Sequence, residues 1–241
     1  MNQTFRPGRA SAHADIVDGV RRGLPLVVAG APFGLLFGAL AVDNGLSLSE
    51  AVFMSAIIYA GASQMVGLDL FSQNIAPWMI VMSIFAVNFR HVLYSATTGR
   101  RIRHFRLWQK ALAFFVLVDI QYAEVEQRAE AGKPVTFAWY MALGLTFYLT
   151  WVLEALIGGL FGNLITNPYA FGIDFLLPIY FLGMVMSFRH RQNWLPVVIV
   201  SAISAVAAYK FVGSPWHVSL GALGGIALAA IIAKPRDEGE A

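Results

Sequence analysis

Cysteine is absent from the 241 residues. Disulfide frameworks and thiolate metal sites are therefore excluded. Charge is scarce as well: Asp, Glu, Lys and Arg make up 13% of the chain, against about 25% in an ordinary soluble domain. Amphipathic helices with a polar face to turn to water are almost missing, which argues against a soluble fold around a large core. Catalytic signatures are missing too. There is no phosphate-binding glycine loop, no nucleophile elbow and no paired-histidine zinc motif, and the five histidines are scattered. No enzyme activity, cofactor or metal is expected. Residues 1–23 lack an apolar core followed by a small-residue cleavage site, so they do not read as a signal peptide. The formal charge of +3 comes from arginines flanking apolar runs, and does not mark a surface for nucleic acid.

What the chain has is apolar length. Hydrophobic residues make up 58% of it, and its mean hydropathy is +0.63. Runs of about 20 apolar residues recur, enough to cross the hydrocarbon core as a helix. The reading is an all-α polytopic membrane protein with seven to eight hydrophobic segments: residues 24–42, 50–71, 77–98, 107–122, 136–164, 174–188, 194–212 and 218–233. These form one membrane domain over residues 24–233, with halves 24–123 and 135–233, between a cytoplasmic tail 1–23 and a second tail 234–241.

Charge creates a problem for a simple count of crossings. The basic groups are Arg6, Arg9, Arg21 and Arg22, then residues 100–110, then 189–191, then Lys234 and Arg236. The positive-inside rule places all of them in the cytoplasm, with the mostly acidic residues 124–133 outside. If every segment crossed, three crossings would carry residues 100–110 outside. Segments five and six would do the same to residues 189–191. One change repairs both conflicts: the first two segments of each half make a single net crossing, one of them being re-entrant or broken at mid-membrane. Non-helical backbone at that depth is tolerated only where protein buries it or it lines a cavity.

The two places in conflict also look alike. Gly34-Leu-Leu-Phe-Gly38 matches Gly158-Gly-Leu-Phe-Gly162 at an offset of 124 residues, which also sets Glu50 on Asp174. Tyr59-Ala-Gly61 has a looser counterpart in Tyr180-Phe-Leu-Gly183. With the repaired topology the halves form an inverted repeat, as in many secondary transporters. Gly30, Gly34 and Gly38 make a comb of small residues that lets helix backbones approach. The alternative is a hinge built on Gly30 and Pro32. Gly221, Gly225 and Ala229 repeat the comb for packing.

Polar residues inside apolar segments are the candidates for function. Tyr59 to Gln64 reads YAGASQ, and the break is expected there. Gly61 opens the backbone to a ligand, while Ser63 and Gln64 bring groups that are costly in hydrocarbon without partners. They contact a substrate or bond between helices. Asn88, Arg90 and His91 follow on segment three. Arg90 is too deep to snorkel easily, so it is expected to be buried and paired, with a substrate carboxylate, Asp119 or Asp174. His91 titrates or is structural. Asp119 is an ion or proton relay by default, or the partner of Arg90. Trp151, Glu154 and Asp174 are the candidates of the second half.

PFGLLFG, YAGASQ, NFRHVLY, Asp119 and GIDFLLPIYF (residues 172–181) occur in order across residues 20–232. Together they resemble the AzlC-type branched-chain amino acid permease family, the large subunit of LIV-E two-component exporters. The resemblance implies export of leucine, isoleucine and valine, sometimes methionine, across a bacterial inner membrane. It implies a proton gradient without ATP, a cytoplasmic N-terminus, and a small AzlD-type membrane subunit as partner within the lipid bilayer. Where an acid is expected after Asp119, this chain has Ile120 and Gln121. For a zwitterionic amino acid, the carboxylate donors would be Arg90, Asn88 or backbone amides near Gly61. The ammonium acceptors would be Gln64, Ser63 or Asp119, with Asp119 and His91 in proton coupling. A channel-like pore and a non-transporting scaffold subunit remain as alternatives. Non-saturating electrogenic flux would mark the first, and failure to protect cells from a toxic leucine dipeptide the second.

Overall fold

A computed structural model describes residues 9–72, 76–162, 188–213 and 216–232, together with 179, 182, 183, 185 and 186. Among these residues the regular structure is entirely helical. The helices are α1 (Arg9–Asp43), α2 (Leu48–Ile58), α3 (Gly61–Ser72), α4 (Pro77–Arg101), α5 (Leu107–Phe115), α6 (Asp119–Glu130), α7 (Phe137–Phe161), α8 (Trp194–Phe211) and α9 (Trp216–Ile232). Of these, α1, α4, α7 and α8 are long and apolar enough to cross a membrane. Asp174 and its neighbours lie outside the described residues. The chain divides into two compact units, Met1–Ile75 with His91–Phe181, and Ala76–Arg90 with Leu182–Ala241.

The first unit is built on α1 and α7. Gly19 packs on Trp139 and Ala142, Gly30 on Phe147, Gly34 on Glu154, Gly38 on Ala155 and Gly159, and Gly162 on Ala39. The numbers rise together, so the two helices lie side by side and run the same way. The glycine comb is therefore a packing seam: a Cβ on Gly38 would strike the Ala155 carbonyl, and one on Gly158 the Leu35 carbonyl. Pro25 and Pro32 sit within α1, which stays one helix. The matching glycine motifs 34–38 and 158–162 face each other across this seam. Because their helices are parallel, these two motifs are not related to one another by inversion.

Two broken segments lie against α7. Ser47 caps α2 in a reciprocal box with Glu50, whose carboxyl accepts from the Ser47 hydroxyl and backbone N–H. From Leu48, packed on Gly159, α2 runs to Tyr59, beside Phe147 and Tyr148. Tyr59 then takes a left-handed conformation, φ 42° and ψ 45°, which is unfavourable for a residue with a side chain. The chain turns and α3 returns: Leu68 shares a buried cluster with Ala51, Phe37, Ala41 and Ala155. Segment two is thus a hairpin broken at Tyr59 and Ala60, inside the stretch expected to break.

Segment four, expected as one helix over residues 107–122, is a second hairpin. Trp108 of α5 packs on Phe137, and Phe115 reaches Tyr148. Residues 116–118 break the helix, and α6 runs back until Arg128 lies over the Trp139 ring. From Phe137 to Tyr148 is about 16 Å along α7 at about 1.5 Å per residue, half of a hydrocarbon core about 30 Å thick. Leu48 to Tyr59 gives the same depth. The hairpins therefore enter from opposite ends of α7 and meet near Tyr148. Their non-helical turns are buried, with Tyr59 4%, Ala60 7%, Val116 1% and Leu117 4% exposed, as backbone at such depth requires.

This geometry moves the acidic stretch 124–133, which was expected outside. Glu124 pairs with Arg22 at 3.1 Å, Glu126 with Arg101 at 3.2 Å, and Arg128 with Asp15 and Asp18. The acidic stretch, the basic stretch after α4 and the start of α1 share one end of the unit. Residues 9–23, expected as a tail, continue α1 as helix and carry three of these partners. Opposite charges meeting here explain the correction: acidic residues weigh little in topology, and these neutralise the basic ones.

In the second unit, α8 and α9 pack antiparallel. Gly221 meets Ala205, Gly224 meets Ser204 and Gly225 meets Ser201, as the second comb implied. Trp194 donates its indole N–H to the Val185 carbonyl at 2.9 Å.

Candidate functional site

The polar heart of the first unit lies at the break of the first hairpin. Gln64 is fully buried near the start of α3. Its amide nitrogen donates to Ser55 Oγ at 3.0 Å, across the hairpin. Its amide oxygen accepts the Trp151 indole N–H at 3.1 Å, from α7. An amide placed this deep is costly unless both ends are bonded, and here both are. Ser63, beside it, is fully buried. Gly61 lets the turn close on its wall: a Cβ there would come within 2.8 Å of Trp151 and 2.6 Å of Phe33. Phe33, Trp151, Phe147, Tyr59 and Tyr148 form a continuous aromatic cluster, with ring centroids 5.0–6.4 Å apart.

Each hairpin is fixed to α7 in the same way. Tyr148 donates its hydroxyl to the Ala56 carbonyl, and Tyr140 donates to the Ala113 carbonyl, both at 2.9 Å. Ala56 and Ala113 lie in the last turns of α2 and α5, where carbonyls lose their helical partners. Each returning helix then gives a glutamine to α7. Gln64 receives Trp151, and Gln121, 2% exposed, donates to the Tyr140 carbonyl at 2.8 Å. Gln121 stands where an acid was expected, and its place against α7 gives it a structural partner. Asp119, 9% exposed, is the first residue of α6, at the inner tip of the second hairpin. It lies at a helix start, which favours a carboxylate.

Other candidates are distributed differently. His91 packs edge-on to Tyr94 at 5.6 Å, and Tyr94 stacks on Tyr122 at 4.5 Å, joining the last half of α4 to α6. Asn88 and Arg90 are partly buried and belong to the second compact unit. Glu154, one turn beyond Trp151 on α7, is 8% exposed and lies against Gly34. Sequence reasoning missed Ser55, Tyr148 and the cluster around Arg128. Ser55 and Tyr148 stand in apolar runs with no motif. For Arg128, the signal was the number of acidic residues within the first 23 positions.

These elements define a class: a polytopic helical membrane protein with a buried polar break at mid-depth, where two half-length hairpins meet. The chain belongs to the AzlC protein family, whose model matches residues 25–165, the stretch that holds α1 to α7 after the first turns of α1. It is 28% identical over 211 residues to the inner membrane protein YgaZ of Escherichia coli, covering 85% of this chain and 86% of that one. It is 22% identical over 208 residues to the branched-chain amino acid transport protein AzlC of Bacillus subtilis, covering 86% and 81%. An uncharacterized membrane protein of Archaeoglobus fulgidus is 33% identical over 147 residues, covering 59% and 63%. No solved structure matches the chain.

Proposed function

We propose that the chain is a secondary transporter that exports leucine, isoleucine and valine, with methionine as a further substrate, across a bacterial inner membrane. It works with a small AzlD-type membrane subunit, is driven by protons, and keeps its N-terminus in the cytoplasm. The observation that carries this reading is the meeting of two half-depth hairpins at Tyr148. Broken helices at mid-membrane are where secondary transporters hold a polar substrate. The aromatic cluster suits an aliphatic side chain, and the backbone around Gly61 and Ser63 suits the polar end. The name of the Bacillus subtilis relative points to the same substrate class. Asp119 at the tip of the second hairpin is the proton-coupling carboxylate, and His91 of α4 is a further candidate for coupling. Asn88 and Arg90 of α4 are candidate carboxylate donors, and Asp174 is a candidate of the second half.

Cells that produce the chain with its small partner are expected to release preloaded labelled leucine and to survive a toxic leucine-containing dipeptide. Asp119→Asn is expected to flatten the pH dependence of that efflux. An unchanged pH profile would remove Asp119 from coupling, and absence of any leucine efflux would remove the function.

A further inference from the structure

We infer that Glu154 is the cation site at which a proton and the ammonium group of the amino acid replace one another. The inference rests on the export reading and names a second carboxylate within the same unit. Glu154 is 8% exposed, and its Oε2 is buried with no hydrogen-bond partner among the described residues. Its carboxylate packs on Gly34 of α1, where there is no side chain to meet it. This differs from Gln64 and Gln121, whose amides are tied to protein groups. A carboxylate in a membrane segment is a functional group by default, and one without a partner is waiting for a cation.

Among the described residues the surroundings supply none. On α1 the flanking ionisable residues are Arg22, which pairs with Glu124 at the far end, and Asp43. From α2 come Glu50, engaged with Ser47, and Tyr59. α7 itself adds Tyr140 and Tyr148, both donating to carbonyls. Asp119 and Tyr122 stand on α6 at the other hairpin. Among the described residues none of these groups bonds Glu154 Oε2, and Lys110 of α5 lies on the other hairpin, so a negative charge there has no fixed counter-ion within them. Two occupants keep the site neutral. In one state the carboxyl carries a proton. In the other it gives that proton to the aqueous side then open, and the carboxylate so formed pairs with the ammonium of the substrate. One proton leaves for each amino acid bound, and exchange of the two follows from their competition for one group.

The test uses purified full-length protein in weakly buffered detergent, with leucine as the probe. Wild type is expected to release protons on leucine addition, and E154Q to lose that release. Proton release by E154Q equal to that of wild type would overturn the inference. If wild type binds no leucine by calorimetry, the export reading fails, and the infrared carboxyl band decides Glu154 alone. A protonated-acid band at neutral pH that E154Q removes supports the proton half; a spectrum identical in both proteins overturns it. Should E154Q fail to fold, Glu154→Asp takes its place, with a displaced carboxyl band as the expected result and an unmoved band as the contrary one.

Discussion

Gln64 shows how a single buried amide decides a local fold. Its two ends join α2, α3 and α7, which is why a costly polar group can sit at mid-depth. Gln64→Leu would leave the Trp151 indole N–H and the Ser55 hydroxyl buried without their partner. A loss of about 2 kcal/mol is expected, read as a lower unfolding midpoint in detergent, with Ser55→Ala losing about half as much. A variant as stable as wild type would show that the amide does not hold the hairpin. The sequence pointed to Gln64 because an amide in an apolar run is conspicuous. It could not point to Ser55, since a serine in a membrane helix often bonds its own backbone. Nor could it show that Gln64 already spends both ends of its amide on protein.

At the scale of elements, the glycine seam and the hairpins divide what sequence patterns can and cannot show. Gly34, Gly38, Gly158 and Gly162 were legible as small residues at helical spacing, and they do pack. That they pack on each other, with α1 and α7 parallel, was not legible, because spacing carries no direction. Gly158→Ala would press a Cβ on the Leu35 carbonyl. Backbone cannot yield as a side-chain tip can, so a cost of about 1–3 kcal/mol is expected, again measured by thermal unfolding. The second hairpin was hidden because Leu107 to Tyr122 has the length and apolarity of a span, and nothing marks Val116 to Val118 as a break except β-branched residues. Its anchor is Arg128, 6% exposed, which bonds Asp15, Asp18 and the Pro134 carbonyl and lies 4.4 Å over Trp139. Arg128→Ala leaves these carboxylates without their shared cation. A loss of about 3 kcal/mol is expected, together with easier proteolysis at residues 131–134; a wild-type melting curve would contradict that anchoring role.

Across the whole chain, charge counting gave the first sign that not every apolar segment crosses. It required that one of the first two segments turn back, and segment two does, as α2 and α3. It misplaced the acidic stretch, because it assigned a side to residues whose charges are spent on Arg22, Arg101 and Arg128. With both hairpins turning back, residues 103 and 131 lie on one face and residue 44 on the other. The lack of cysteine makes this directly measurable. Single cysteines at Asn44, Arg103 and Ala131 can be labelled in intact membrane vesicles with an impermeant maleimide added from one side. Arg103 and Ala131 are expected to react from the same side, and Asn44 from the opposite one. Labelling of Asn44 and Arg103 from one side would mean that α2 and α3 together cross, and labelling of Arg103 and Ala131 from opposite sides would mean the same for α5 and α6. Either result would contradict the meeting of two half-depth hairpins on which the site is built.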